Sequence, residues 1–173
     1  CYGCGRLNEH GLQIKSYWDG DETVCHYQPR PHHTAVPGYV YGGLLASLID
    51  CHGTGTAAAA MYRAEGRPMD SDPPLRFLTA SLRVDYLKPT PIDRPLELRG
   101  RVKEIKGRKV IVAVDLYAHT ESASSDAGSD RMEICVRGEV VTVLVPDDFM
   151  ARIMGGGVGG QRSEGAGENS GDE

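Results

Sequence analysis

The sequence lacks the features of several common protein classes. It carries 19 lysines and arginines against 24 aspartates and glutamates, a net charge of −5. That leaves no basic excess to lay against phosphates, so non-specific nucleic-acid binding is excluded. No apolar run reaches about 18 residues, which excludes a membrane-spanning helix. The start has no signal-peptide pattern, and Cys1 is not an initiator residue, which leaves the natural N-terminus open. The five cysteines are odd in number and scattered. They do not make a disulfide framework, and a reducing, cytoplasmic setting is expected. A hydrophobic fraction of 40% over 173 residues, by contrast, supports one domain with a real core.

The most organised stretch begins at Val36. Pro37-Gly38 and Gly42-Gly43 are breakers, and from Leu44 onward the pattern turns helical. Leu44, Leu45, Leu48, Ile49, His52 and Thr56 fall on one face of a helix expected over 42–63. Asp50 lies off that face. Its neighbours at helical spacing, Gly43, Ala46, Ser47, Gly53, Thr54 and Ala57, are all small. A carboxylate in such a patch, behind a glycine-opened helix start, indicates close approach by a backbone, a second helix or a substrate. Gly53 and Gly55 inside the helix cost roughly 1 kcal/mol each relative to Ala. Close packing against a sheet is the expected offset.

Before the helix, residues 12–18 and 22–28 read as two strands around Asp19-Gly20-Asp21, followed by a proline-broken loop holding His32-His33. After it come four strands, expected over 77–87, 96–105, 109–118 and 132–145, with a tight turn at Lys106-Gly107-Arg108. In the first of these, Leu78, Ala80, Leu82, Val84 and Tyr86 alternate with Thr79, Ser81, Arg83 and Asp85. The stretch 119–130 reads as a long mobile loop. The domain is expected to end at about residue 150. Residues 151–173, a Gly-rich acidic tail, cannot bury a core and are expected to be disordered. Two strands, one long helix and four strands make an α+β arrangement.

Tyr41-Gly42-Gly43 followed by Asp50, with the strands behind it, resembles the hotdog-fold acyl-CoA thioesterase superfamily of the phenylacetate-pathway and 4-hydroxybenzoyl-CoA type. The resemblance covers about residues 1–146. It implies a curved antiparallel sheet wrapped around one central helix. The opening Cys1-x-x-Cys4-Gly5 with Asn8-x-x-Gly11-Leu12 resembles the same superfamily independently, and implies a structural lead-in with no chemistry. Taken alone, the Cys-x-x-Cys suits zinc or redox work. Zinc needs two more ligands, though: His10 supplies at most one, and there is no second Cys-x-x-Cys. No metal or cofactor is therefore expected.

Thioester hydrolysis needs an attacking group, an oxyanion donor and a held substrate. Asp50 is the candidate base or nucleophile. The N–H of Gly42 or Gly43 is the candidate oxyanion donor, because the first amides of a helix are unpaired and its dipole favours negative charge; the resemblance puts this role on Gly42. Eight helical residues span about 12 Å, too far for one carbonyl to touch both, so the site must combine two subunits, a homodimer or homotetramer. Thr79 lies in a strand resembling the one that carries the family's catalytic Ser or Thr, though a strand threonine is equally a β-former. Tyr41, Gly43, Ser47 and His33 are candidate substrate contacts. Lys106, Arg108 and Lys109 are candidates for the phosphates of coenzyme A, although charged hairpin tips are commonly just solvated.

Two positions depart from the family pattern. Tyr41 stands where a His is usual, and Ala35 where an Asn or Gln orients water, with Thr34 or His33 as possible replacements. Both favour a competing reading, an acyl-thioester-binding protein without turnover. A hotdog hydratase or dehydratase would need a paired Asp and His that the sequence does not offer. Cys51-His52, directly after Asp50, invites a nucleophilic dyad, but helical neighbours point apart, and His52 aligns with the core face.

Overall fold

The structure, a computed structural model, describes residues 1–120, 131–146, 148 and 149. The loop expected through residue 130 and the 151–173 tail fall outside them, apart from His119 and Thr120, which continue a strand. Among the described residues the elements are β1 (Tyr17–Asp19), β2 (Glu22–Tyr27), α1 (Gly42–Ala64), β3 (Phe77–Tyr86), β4 (Leu96–Lys106), β5 (Lys109–Thr120) and β6 (Arg131–Leu144), with a 3-10 turn at Pro31–His33. The strands form one antiparallel sheet in the order β1-β2-β4-β5-β6-β3. One long helix against a six-stranded sheet is the expected hotdog arrangement. No described helix is long and apolar enough to cross a membrane.

The helix packs by the stripe the sequence marks. Leu44, Leu45, Leu48, Ile49, His52 and Thr56 are all buried. The four aliphatic members share one core with Leu96 and Leu98 of β4, Val110, Val112, Val114 and Leu116 of β5, and Val136 and Val140 of β6. Each fully buried aliphatic side chain contributes roughly 1.5–3 kcal/mol. The approach is close enough to require glycine on both partners. A Cβ on Gly53 would sit 2.5 Å from Val140 Cγ2, and one on Gly138 would sit 2.3 Å from Ile49 Cγ2. Gly55 differs from the expectation: the nearest atom to a Cβ there would be Ser16 Oγ at 3.8 Å, so no sheet contact explains it.

Two strand expectations need correction. The first strand shrinks to three residues because residues 12–14 bond elsewhere: Leu12 N–H donates to the Tyr2 carbonyl at 2.8 Å and Ile14 N–H to that of Gly3 at 2.9 Å. Gln13 between them takes a φ of 57°, outside the strand region. The second correction concerns β3, an edge strand. Its pairing with β6 slips by one residue between Thr79 and Ser81: Thr79 faces Thr142 and Ser81 faces Val141. An extra residue on one strand is a β-bulge. It reverses the alternation, so the unbroken two-face pattern expected for this strand does not hold across residue 80.

Candidate active site

The bulge carries two β3 side chains of opposite sequence parity to the same helix. Thr79, before it, donates its hydroxyl to Asp50 Oδ1 at 2.6 Å. Tyr86, after it, donates to the Gly42 carbonyl at 2.8 Å. In an unbroken strand, residues seven apart point to opposite faces. Thr54, one turn beyond Asp50, completes the first contact: its hydroxyl lies 3.1 Å from that of Thr79. Since Thr79 spends its proton on the carboxylate, the bond between the two threonines runs from Thr54 to Thr79. Asp50 is half-buried and lines a hollow of about 500 Å³ between α1, β3 and the opening turn, with Ser47, Thr54, Arg76 and Thr79 among its walls.

The start of the helix is built differently. Tyr41 is the N-cap residue and makes no side-chain cap bond. Its ring folds over Gly43, where a Cβ would sit 2.4 Å from the ring, while a Cβ on Gly42 would meet the Tyr86 ring at 3.4 Å. The first helical amides, those of Gly42 and Gly43, thus emerge beside two tyrosines, with no partner four residues back in the helix. Tyr41, Gly43, Ser47 and His33 line one small polar hollow together with Thr34. His33 Nδ1 accepts from the Arg30 N–H at 3.1 Å, which leaves the neutral ring's proton on Nε2. Its pKa is held below the usual histidine value, chiefly by burial, then by His32 and Arg30. Thr34 does not stand in for an Asn or Gln, since its hydroxyl is turned to the carbonyls of Val36 and Tyr39.

The structure therefore brings Asp50 together with Thr79, and Tyr41 with Gly43, Ser47 and His33, in two neighbouring hollows that share Ser47. It does not bring Lys106, Arg108 and Lys109 to either. They ride on the β4–β5 hairpin tip, where Lys109 faces Glu104 at 4.0 Å. The cation on the rim of the Asp50 hollow is Arg76. Sequence reasoning missed Thr54, Tyr86 and Arg76. Thr54 at i+4 from Asp50 was visible as a neighbour, but its link to Thr79 needed the bulge.

His52 sits in a hydroxyl network of its own, and Cys51, although on the wall of the Asp50 hollow, is not activated. His52 is fully buried, with Nδ1 2.7 Å from Ser16 Oγ and Nε2 3.2 Å from Thr23 Oγ1. Burial pulls its pKa down to about 4. Burial, and next the neighbouring Cys4 thiol, push the Cys51 thiol up to about 12, so it is a poor nucleophile.

The chain is similar to known proteins in sequence and in fold. The Thioesterase superfamily model matches residues 37–123, half of the chain. Acyl-coenzyme A thioesterase THEM4 of Xenopus laevis is 33% identical over 99 residues, which covers 57% of this chain and 39% of that protein. The chain spans less than half the length of the curated relatives it matches. Among solved structures, a thioesterase superfamily protein from Shewanella loihica PV-4 is 45% identical, covers 80% of this chain and 96% of its own, and superposes with a TM-score of 0.59. The PaaI protein of the E. coli phenylacetic acid degradation operon, 12% identical with a TM-score of 0.59 over 78% of this chain and 81% of its own, shares the fold.

Proposed function

The chain belongs to the thioesterase superfamily, and we propose on that premise that it hydrolyses the thioester of an acyl-CoA, or of an acyl-carrier protein, to free acid and thiol. The observation that carries the reading is the Thr54–Thr79–Asp50 chain of hydroxyls ending on a carboxylate in an open hollow. Thr79 occupies one carboxylate oxygen and fixes its orientation. The other is available to take a proton from water, or to attack the carbonyl itself. As the tetrahedral adduct forms, negative charge builds on the thioester oxygen, and the Gly42 N–H receives it at the positive end of the helix dipole. Collapse of the adduct breaks the C–S bond, and the departing thiolate takes the proton that Asp50 drew from water; where Asp50 itself attacks, the thiolate is protonated from solvent and water then opens the acyl–Asp50 anhydride to release the acid.

Gly42 and Asp50 stand about 12 Å apart along one helix, so the Gly42 that serves a given Asp50 belongs to a second subunit. A homodimer or homotetramer follows. The exposed apolar residues of the β3 edge, Leu78 and Leu82, suit such an interface. His33, with its Nε2–H free to donate, joins Tyr41, Gly43 and Ser47 in holding the acyl-thioester near the helix start. Arg76 is the phosphate contact nearest the base within the chain. Lys106, Arg108 and Lys109 contribute only to a substrate bound by a neighbouring subunit. The reaction asks for no cofactor, and a reducing, cytoplasmic setting suits the free thiols.

A second reading, binding without turnover, is favoured by Tyr41 and Ala35 at positions where the family pattern has polar catalytic helpers. Thiol release from a panel of short, long and aromatic acyl-CoAs separates the two. Turnover of at least one substrate is expected. Saturable binding with no release from any of them would leave the second reading in place.

A further inference from the structure

We propose that Cys1, Cys4 and Cys51 form a thiolate site for a zinc ion that pins the opening turn to α1. The three sulfurs come from two separate segments, yet all lie within 4.8 Å of one another. Zinc binds thiolate at about 2.3 Å with tetrahedral angles, which places ligand sulfurs about 3.8 Å apart. Closing the cluster onto an ion therefore asks for a movement of about 1 Å. Cys1 and Cys4 sit on an exposed turn where side chains can make it.

The turn is shaped to present these sulfurs. The Gly5 N–H closes it on the Cys1 carbonyl at 3.1 Å, and Asn8 N–H donates to the Gly5 carbonyl at 3.0 Å. The contacts from Leu12 and Ile14 then clip the segment down on Tyr2 and Gly3. Gly3, between the two cysteines, lies directly on the third: a Cβ there would sit 2.4 Å from Cys51 Sγ and 2.7 Å from its Cβ. Only glycine at that point lets a Cys-x-x-Cys turn close over a helical cysteine. The two-residue spacing is that of zinc-binding pairs, and three soft sulfurs select a soft divalent ion over magnesium or calcium. Cys1, Cys4 and Cys51 also line the hollow beside Asp50, which leaves room for a water as the fourth ligand. His10, the sulfur pair's natural companion in the sequence, is not in the cluster.

The site would act as a staple. A metal that binds the folded chain and not the unfolded one stabilises the fold by mass action. It would also make one wall of the Asp50 hollow rigid. This role is independent of whether Asp50 turns over a thioester, and the test reads metal, not activity.

The full chain, reduced and stripped with chelator, should take up about one zinc per chain on titration with zinc alone, with a rise in Tm of about 5–10 °C. Cobalt(II) in its place should give thiolate-to-metal charge-transfer absorption. Cys4→Ser and Cys51→Ala should each abolish uptake and the Tm rise, while His10→Ala should keep both. Cys4 is exposed, so Cys4→Ser decides the matter if Cys51→Ala does not fold. No zinc uptake by the reduced chain, or uptake unchanged in Cys4→Ser, overturns the proposal.

Discussion

Two hydroxyl networks lie two residues apart on α1, and they teach opposite lessons. Around His52, the hydroxyls of Ser16, Thr23 and Thr56 form a set in which Thr23 and Thr56 also touch each other at 2.5 Å. His52, Thr23 and Thr56 are buried to 1% exposure or less. Around Asp50, Thr79 and Thr54 make a shorter chain that ends in a hollow open to solvent. The components are alike: one titratable side chain and a few hydroxyls. Access is what differs. The first network satisfies three buried groups, His52, Thr23 and Thr56, and reaches the surface only through the Ser16 hydroxyl at its outer end. The second orients its carboxylate and leaves part of it reachable. A polar cluster on a helix is thus closed off or reachable according to which face of the helix it occupies.

The comparison breaks most sharply at Asp50. Asp50→Asn is nearly isosteric and should lower kcat by at least about 100-fold, with acyl-CoA binding and Tm close to the parent. A parent rate in that variant, measured beside its Tm, would remove Asp50 from the chemistry. His52→Ala should do the reverse. Losing the ring leaves a cavity and strips the hydroxyls of Ser16 and Thr23 of a partner, at a cost of about 2–4 kcal/mol. Tm should fall by roughly 5–15 °C, with kcat per folded molecule little changed.

A third test separates the networks by pH. The pKa of His52 is about 4 in the fold against 6.5 for the ordinary side chain. Between those values the unfolded chain binds a proton that the folded chain refuses, so stability is full above about pH 6.5 and declines as pH falls towards 4. The span is worth about 3 kcal/mol. Denaturant melts across that window should show the slope in the parent and a smaller one in His52→Ala. Thr79→Val comes next: by freeing Asp50 to rotate, it should lower kcat by about tenfold while leaving Tm within a few degrees. Deleting residues 155–173 should have the smallest effect, with turnover and Tm unchanged, since Val158 is the only sizeable apolar residue in that segment. A large fall in Tm on truncation would mean that the tail docks.

Much of this arrangement is legible in the sequence because it is periodic. The helix face from Leu44 to Thr56 follows from three- and four-residue spacing, and the strands from alternation between prolines and turns. Asp50 stands out as a charge among small residues. What stays hidden depends on contacts between segments. The bulge at Ala80 is a property of β3 and β6 together and has no local mark, so alternation puts Thr79 on the wrong side of the strand. The third sulfur of the opening cluster comes from the helix, where Cys51 reads as one member of an unconvincing dyad with His52. The hairpin cations are conspicuous in the sequence but lie away from the hollow, while Arg76, just ahead of β3, carries no signal beyond its charge.

The extra residue in β3 means that geometry at two points along the helix, its start and the turn of Asp50, depends on a count. Tyr86 holds the helix start and Thr79 the acid, and a strand has only two tracks, so these anchors share a track only while their separation includes one residue that does not pair. Remove that residue, or add another, and one anchor crosses over, however well the composition of the strand is kept. Point substitutions along β3 therefore test the strength of each anchor separately, whereas a single deletion at Ala80 would test whether the two work as one frame.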